Sequence, residues 1–251
     1  MASFLRKDKA LLTVMLQCPD PETAIGRIRN AIPRGAEGFG LQVESLKNEF
    51  QTEEVFKKII KEAASLPVYV TNYRMANNSG KNDEELSEGL LSLAESGATL
   101  VDVMGDLFSK HPEELTDNKD AIDKQIRLIE KIKSKGAEVL ISSHLYKFAP
   151  AERVLEIALE QKRRGADIAK IVTSANCIEE EIENLRTTSL LSKELGIPFL
   201  FLSGGVCSAH RRIGHKYGNS LILCVYEHDA LSTPMQPLLS VAKAVRDDMG
   251  F

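Results

Sequence analysis

Cysteine is scarce in this chain of 251 residues, and the few cysteines present form no recognisable motif. They lie far apart, with no Cys-x-x-Cys spacing, at Cys18, Cys177, Cys207 and Cys224. Such scattering argues against a disulfide framework and against a zinc site, and it is typical of reduced thiols in a cytoplasmic protein.

The sequence also lacks a long hydrophobic run and an excess of either charge. Residues 1–9 contain no apolar stretch long enough for a signal peptide, and no later segment could span a bilayer. The formal net charge is −4, from 32 Lys and Arg against 36 Asp and Glu. This balance gives no electrostatic reason to expect nucleic acid or an anionic membrane as a partner. We therefore expect a soluble, cytoplasmic protein that binds neither.

What the sequence does contain is a regular alternation of short β-type runs and longer amphipathic segments. Glycines punctuate several helix ends just before the next strand, at Gly97, Gly136, Gly165 and Gly196. The predicted strands are Leu11–Gln17, Phe39–Leu46, Val68–Tyr73, Thr99–Met104, Glu138–Ser143, Asp167–Thr173, Pro198–Ser203 and Ser220–Tyr226. The predicted helices include Glu53–Ala64, Asp83–Glu95, Ala121–Lys135, Ala151–Arg164 and Glu179–Leu195.

Eight strand–helix units without a linker or a change in composition predict an α/β fold with a parallel sheet. A (β/α)8 TIM barrel typically needs about 250 residues, so we predict a single barrel over residues 1–251. A doubly wound open sheet is the alternative. It is less favoured because no Gly-x-Gly-x-x-Gly follows the first strand and no Walker motif occurs.

A lysine within one of the apolar strands is the first candidate for chemistry. Lys170 lies in the run Asp167–Thr173, where a buried ammonium must either find an anion or lose its proton. A lysine at a strand end with its head in water is the simpler interpretation. His144, however, ends the preceding strand, so both side chains are expected at the same mouth of the barrel. A neutral lysine beside a histidine suggests Schiff-base chemistry with proton abstraction next to a carbonyl carbon.

The motifs along the chain together resemble those of the type I 3-dehydroquinate dehydratases. Each is short, but all occur in the same order and at the matching strand ends. They are Thr71-Asn72-Tyr73-Arg74, Ile141-Ser142-Ser143-His144, Asp167-Ile168-Ala169-Lys170-Ile171, His210-Arg211-Arg212-Ile213-Gly214 and Ser232-Thr233-Pro234-Met235-Gln236.

The resemblance implies a role for each motif. Lys170 would form an imine with the 3-oxo group of the substrate, and His144 would move the proton that lets water leave. Arg211, with Ser232 and Gln236, would bind the ring carboxylate. The products would be 3-dehydroshikimate and water, in the shikimate pathway of aromatic amino acid biosynthesis. No cofactor or metal is needed, and the family resemblance suggests a homodimer.

The resemblance weakens around the hydroxyl-bearing edge of the substrate. Arg74 would reach this edge and would also help to keep Lys170 neutral by charge repulsion. On the second strand Gly40, Gln42 and Glu44 align with the Glu-x-Arg-x-Asp of the family, so Gly40 and Gln42 replace its glutamate and arginine. Gln42 could still bond the substrate hydroxyls, and Glu44 would share its face one step further along. Asn78 replaces the glutamate that orients the catalytic histidine, although its carbonyl could still do so.

These departures leave three functions open. The first is the dehydration of 3-dehydroquinate. The second is a paralogous Schiff-base lyase or aldolase that acts on another oxo-carboxylate. The third is a metabolite-sensing barrel without catalysis, although a sensor has no need of a nucleophile. The remaining histidines stand in polar surroundings and are expected at the surface: His111, His210, His215 and His228.

Overall fold

Eight parallel strands form the inner wall of the molecule, and α-helices cover it from outside. A computed structural model describes residues 2–5, 9–206 and 208–249, so Cys207 lies outside the described residues. The strands are β1 Leu11–Leu16, β2 Gly38–Gln42, β3 Val68–Thr71, β4 Leu100–Met104, β5 Glu138–His144, β6 Ile168–Ala175, β7 Phe199–Gly205 and β8 Leu221–Cys224. The helices are α1 Pro21–Ala31, α2 Glu53–Glu62, α3 Asp83–Glu95, α4 Lys119–Ser134, α5 Ala151–Arg163, α6 Ile178–Glu194, α7 Ser208–Ile213 and α8 Leu239–Met249.

The strands pair in chain order, and β8 returns to pair with β1. The β7–β8 seam is joined by one backbone hydrogen bond, from the Ser220 N–H to the Phe199 carbonyl at 2.9 Å, and by side chains. Asn219 accepts a hydrogen bond from the backbone N–H of Phe201 at 2.8 Å and donates one to its carbonyl at 2.8 Å. The Ser220 hydroxyl accepts from the N–H of Phe199 at 3.1 Å. The predicted (β/α)8 barrel is confirmed.

Local signals in the sequence account for the helix boundaries. Helix α3 begins with a reciprocal capping box between Asn82 and Glu85, as the sequence pattern Asn-x-x-Glu favours. Four helices are followed by a glycine with φ between +75° and +102°, a conformation that costs glycine little: Gly97, Gly136, Gly165 and Gly196. The predicted helix ends at these glycines are confirmed.

The second strand differs most from its prediction. It ends at Gln42, and Val43–Ser45 form a 3₁₀ turn in place of the predicted continuation to Leu46. The alternation of side chains between the two faces of a strand therefore stops before Glu44 is reached.

Inward-pointing side chains fill the barrel in layers. The lower layers are apolar and include Leu100, Leu140, Ile168 and Leu221. Above them the inward residues turn polar near the carboxyl ends of the strands, where active sites of such barrels lie. Among the residues described, no helix is long and apolar enough to cross a membrane.

Candidate active site

A cavity of about 560 Å³ opens at the carboxyl ends of the strands. Six of the eight side chains predicted from the sequence line it: Lys170, His144, Arg74, Arg211, Gln236 and Gln42. Ser232 and Asn78 are not among its lining residues. The strand-end residues therefore converge on one cavity, although they come from segments far apart in the chain.

Lys170 lies at the floor of this cavity and is 4% exposed. Its Nζ donates hydrogen bonds to the hydroxyls of Tyr73 at 2.6 Å and Tyr69 at 3.0 Å, and it forms an ion pair with Asp102 Oδ2 at 3.1 Å. Ser142 donates to the other oxygen of Asp102 at 2.5 Å. The buried ammonium of Lys170 is therefore paired with a carboxylate, which is one of the two arrangements expected for a buried lysine, the other being loss of its proton.

The charged neighbour of Lys170 is therefore not the one expected from the sequence. Arg74 binds Asp83 through two nitrogens, at 2.6 and 2.8 Å, and binds Asp106 Oδ1 at 2.6 Å. The guanidinium is held by these two carboxylates, whereas the residue that reaches Lys170 from the end of β3 is Tyr73. The expected repulsion between Arg74 and Lys170 is replaced by attraction from Asp102.

A carboxylate orients His144, but it is Glu114, from the loop between β4 and α4, which none of the sequence motifs includes. Glu114 Oε2 accepts a hydrogen bond from the His144 backbone N–H at 2.6 Å and contacts Nδ1 of its ring at 2.5 Å. If Nδ1 carries the proton in this contact, Nε2 is left as the basic nitrogen. The ring also stacks on Tyr146 and meets the edge of Tyr73, with centroids 5.9 and 5.2 Å away.

The loop that carries Glu114 is fixed by buried hydrogen bonds. Arg164 donates to the carbonyls of Gly105 at 2.9 Å and Thr116 at 2.5 Å, and Gln125 also donates to Gly105. Glu114 itself has a φ of +48°, and its carbonyl would lie 2.5 Å from a Cβ at position 105. Only glycine fits there, so the sequence of this loop determines where the carboxylate lies.

Asn78 does not contact His144, so the expectation that its carbonyl orients the histidine is wrong. Its side chain is fully buried, and its amide donates to Asn72 Oδ1 at 2.8 Å and to the carbonyl of Tyr73 at 3.1 Å. Its carbonyl oxygen has no hydrogen-bond partner. The preceding residue, Asn77, is exposed and lines the cavity instead.

Met15 on β1 occupies the space that a side chain at Gly40 on the second strand would need. A Cβ at this position would lie 2.3 Å from Met15 Sδ. Gln42 lines the cavity, and Glu44 lies in the turn beyond the strand, where it accepts hydrogen bonds from Thr71 Oγ1 at 2.9 Å and the Tyr73 N–H at 3.2 Å. Burial raises the pKa of the Glu44 carboxyl.

The predicted carboxylate-binding residues come from the segments that follow β7 and β8. Arg211 lines it and donates through Nε to the carbonyl of Ser203 at 2.6 Å. Gln236 is nearly buried, and its Oε1 has no hydrogen-bond partner. Ser232 instead closes a turn by donating to the carbonyl of Asp229 at 3.0 Å. The neighbouring Thr233 lines the cavity and is held by Gln17.

Two histidines expected at the surface are buried. His210 is fully buried, lies edge-on to Phe201 and bonds the hydroxyl of Thr188 through Nε2 at 2.8 Å. Burial, and secondarily the charge of Arg211, lowers the pKa of His210 to about 4. His215 is 6% exposed. The basic segment that contains both histidines resembles a solvated turn in sequence, but both side chains are buried, His210 on α7 and His215 in the 3₁₀ turn that follows it.

Comparison with known proteins identifies the family. The family model of type I 3-dehydroquinase matches residues 12–245, nearly the whole chain. The chain is a member of the type I 3-dehydroquinase family. A 3-dehydroquinate dehydratase of Methanosarcina barkeri is 26% identical over 240 residues, which cover 92% of this chain and 91% of the relative.

Solved structures of the same family share the fold. The 3-dehydroquinate dehydratase of Geobacillus kaustophilus superposes with a TM-score of 0.81 at 17% identity, covering 96% of this chain and 91% of that one. The type I enzyme of Clostridium difficile, solved with covalently modified comenic acid, gives a TM-score of 0.79 at 15% identity, covering 96% and 92%. The predictions of a type I 3-dehydroquinase and of a hydro-lyase are confirmed at the level of the family. Among the residues described, no group of three or more His, Cys, Asp or Glu could hold a metal ion.

Proposed function

We propose that this protein converts 3-dehydroquinate to 3-dehydroshikimate and water through an imine on Lys170. The observation that carries this proposal is the position of a buried lysine amine at the floor of a cavity that His144 also lines. These side chains come from adjacent strands, where Ser142 pairs with Lys170 and His144 with Val172. His144 therefore points to the same face of the sheet as Lys170, two residues nearer the carboxyl ends of the strands.

The reaction needs the lysine as an electron sink and the histidine as a proton carrier. Once the substrate carbonyl carbon is bonded to Lys170 Nζ, the positive iminium acidifies the neighbouring C–H group. His144 takes that proton, the electron pair forms a carbon–carbon double bond, and the hydroxyl leaves with the proton returned by His144. Addition of one water to the iminium then releases the ketone product and restores the lysine ammonium.

Glu114 supports the histidine in this cycle. Its carboxylate lies on the side of Nδ1, so it fixes the ring and stabilises the imidazolium that exists between the two proton transfers. Arg211 is placed to bind the substrate carboxylate, with the unpartnered oxygen of Gln236 available to a hydroxyl nearby. Gln42 is the neutral group offered to the hydroxyl-bearing edge.

One observation favours a second candidate, a Schiff-base lyase or aldolase acting on another oxo-carboxylate. Met15 occupies the space beside Gly40, and Met104 lines the cavity, so this wall offers sulfur and hydrocarbon to a substrate. Arg74 is already held by Asp83 and Asp106. A substrate with fewer hydroxyls would lose less on binding such a wall, since an unmatched polar group costs about 1–3 kcal/mol.

The test compares wild type with Lys170→Ala and His144→Ala in a spectrophotometric assay of 3-dehydroshikimate formation from 3-dehydroquinate. Wild type should turn over, and both variants should lose activity. Turnover by Lys170→Ala at the wild-type rate would overturn the imine route. If wild type is inactive but an imine on Lys170 is trapped with other oxo acids, the second candidate holds.

We also propose that the protein is a cytoplasmic homodimer. Two isoleucines one turn apart on α6, Ile178 and Ile182, are each 61% exposed, and Val206 beyond β7 is 58% exposed. Such apolar exposure supports contact with a second copy. Light scattering after size exclusion should give a mass of twice the 27.7 kDa of one chain. The Ile182→Glu variant should give the mass of a single chain.

A further inference from the structure

Four buried side chains form the hydrogen-bonding surroundings of the Lys170 amine. Tyr69, Tyr73 and Asp102 are each within hydrogen-bond distance of Nζ, and both tyrosine hydroxyls also donate to Asp102 Oδ2. Ser142 completes the group on Oδ1. In the proposed reaction Lys170 and His144 carry out the chemistry, and these four residues hold the lysine in place.

The two tyrosines differ in what lies on their other side. Tyr69 is fully buried in the barrel interior, packed with the apolar layers, and does not line the cavity. Tyr73 lines the cavity, and its ring meets the edge of His144 at 5.2 Å. Tyr73 therefore borders both the lysine amine and the space that a substrate would occupy, whereas Tyr69 borders only the amine.

Imine formation from an ammonium that is paired with a carboxylate requires a group that can move protons from the lysine nitrogen to the substrate carbonyl. A ketone and R–NH₃⁺ become an iminium R–NH⁺=C and water, so two protons move from nitrogen to the carbonyl oxygen while the total charge stays the same. Burial, reinforced by the charge of Asp102, raises the pKa of both tyrosines well above 10, so each hydroxyl keeps a proton to donate. The Asp102 carboxylate can hold a proton in transit.

We propose that Tyr73 is a further catalytic residue, which carries two protons in turn from Lys170 to the carbonyl oxygen with Asp102 as its relay. The inference rests on the imine step of the proposed function. First, Asp102 takes a proton from the ammonium, and the amine bonds to the carbonyl carbon. Tyr73 then protonates the alkoxide and recovers a proton from Asp102. The same relay removes a second proton from nitrogen, the hydroxyl leaves as water, and the iminium remains with Asp102 ionised and Tyr73 neutral.

The test compares Tyr73→Phe with Tyr69→Phe, because each removes one hydroxyl from the same lysine and the same carboxylate. Protein is mixed with 3-dehydroquinate, quenched with borohydride over a time series, and digested, and the adduct on the Lys170 peptide is measured by mass spectrometry. General acid–base catalysis is worth about 100-fold or more, so Tyr73→Phe should slow adduct formation about 100-fold and Tyr69→Phe by less than about 3-fold. Melting curves identify any variant that fails to fold.

A second carbonyl compound separates this inference from the proposed function. Formaldehyde with cyanoborohydride labels a lysine through the same iminium chemistry without substrate recognition, so the same order of rates is expected at Lys170. If wild type gives no adduct with 3-dehydroquinate but this order persists with formaldehyde, the proposed substrate is wrong and the relay stands. Equal rates for Tyr73→Phe and Tyr69→Phe with both carbonyls would overturn the relay.

Discussion

Replacing Glu114 by Gln should slow the chemical steps that follow imine formation. The substitution keeps the size of the side chain but removes the charge that contacts both the backbone N–H and Nδ1 of His144. A hydrogen bond to a charged group contributes about 1.5–3 kcal/mol, so kcat should fall about 10- to 100-fold. The imine on Lys170 should still form, because the substitution leaves the contacts of Tyr73 and Asp102 with the lysine amine unchanged. Borohydride should therefore trap a larger share of Lys170 at steady state than in wild type.

Glu113→Gln is the matched control for this experiment. Glu113 is the adjacent carboxylate in the same loop, but it binds Arg153 at 2.6 Å and Lys147 at 3.4 Å instead of the histidine. Its kcat should stay within about twofold of wild type, since ion pairs at the protein surface contribute little and these do not touch His144. Comparable losses in the two variants, or an unchanged kcat in Glu114→Gln, would refute the role given to Glu114.

Two further predictions concern stability. Asn78→Glu would bury a carboxylate beside two carbonyl acceptors, at a cost on the order of 3 kcal/mol, which lowers Tm by about 6–12 °C. Asn77→Glu, one residue earlier and exposed, should leave Tm within about 2 °C of wild type, and equal melting of the two variants would contradict the assignment. His210 is neutral in the folded state and protonates near pH 6.5 when unfolded, so stability should fall as pH drops from 6.5 to about 4, by up to about 3 kcal/mol. His210→Gln, measured by urea unfolding across this pH range, should flatten that dependence, and an unchanged slope would show that other groups cause it.

The fold and the two central residues could be predicted because they rest on local patterns. Alternating strands and helices imply a barrel, and a barrel places strand ends at one mouth. Lys170 is a charged residue within an apolar run and His144 ends another, so both can be recognised without knowledge of any contact. Their shared cavity follows from the pairing of β5 with β6.

The partners of these two residues were not predictable by the same reasoning. Asp102 and Tyr69 lie inside strands, where one polar residue in an alternating run carries no sign of its contacts. Glu114 is 30 residues from His144 in sequence and reaches it only because the loop after β4 is folded back by Arg164. Its place in a loop after a strand makes Glu114 one of several candidate carboxylates, but nothing in the sequence distinguishes it from the adjacent Glu113.

Register and packing explain the remaining differences. At the end of β3 a shift of one residue decides which side chain approaches Lys170, so Tyr73 reaches its amine while Arg74 binds Asp83. The segment around His210 has a basic composition typical of solvent-exposed turns. Its burial depends on Phe201 and Thr188, which belong to other elements.

The central claim is that Lys170 forms a covalent imine with the substrate. The most direct measurement is borohydride reduction in the presence of 3-dehydroquinate, followed by peptide mapping of wild type and Lys170→Arg. The account predicts a reduced adduct on the Lys170 peptide of wild type and none in the variant, together with loss of 3-dehydroshikimate formation. Formation of 3-dehydroshikimate by wild type without any adduct on Lys170, or an adduct on another lysine, would contradict it.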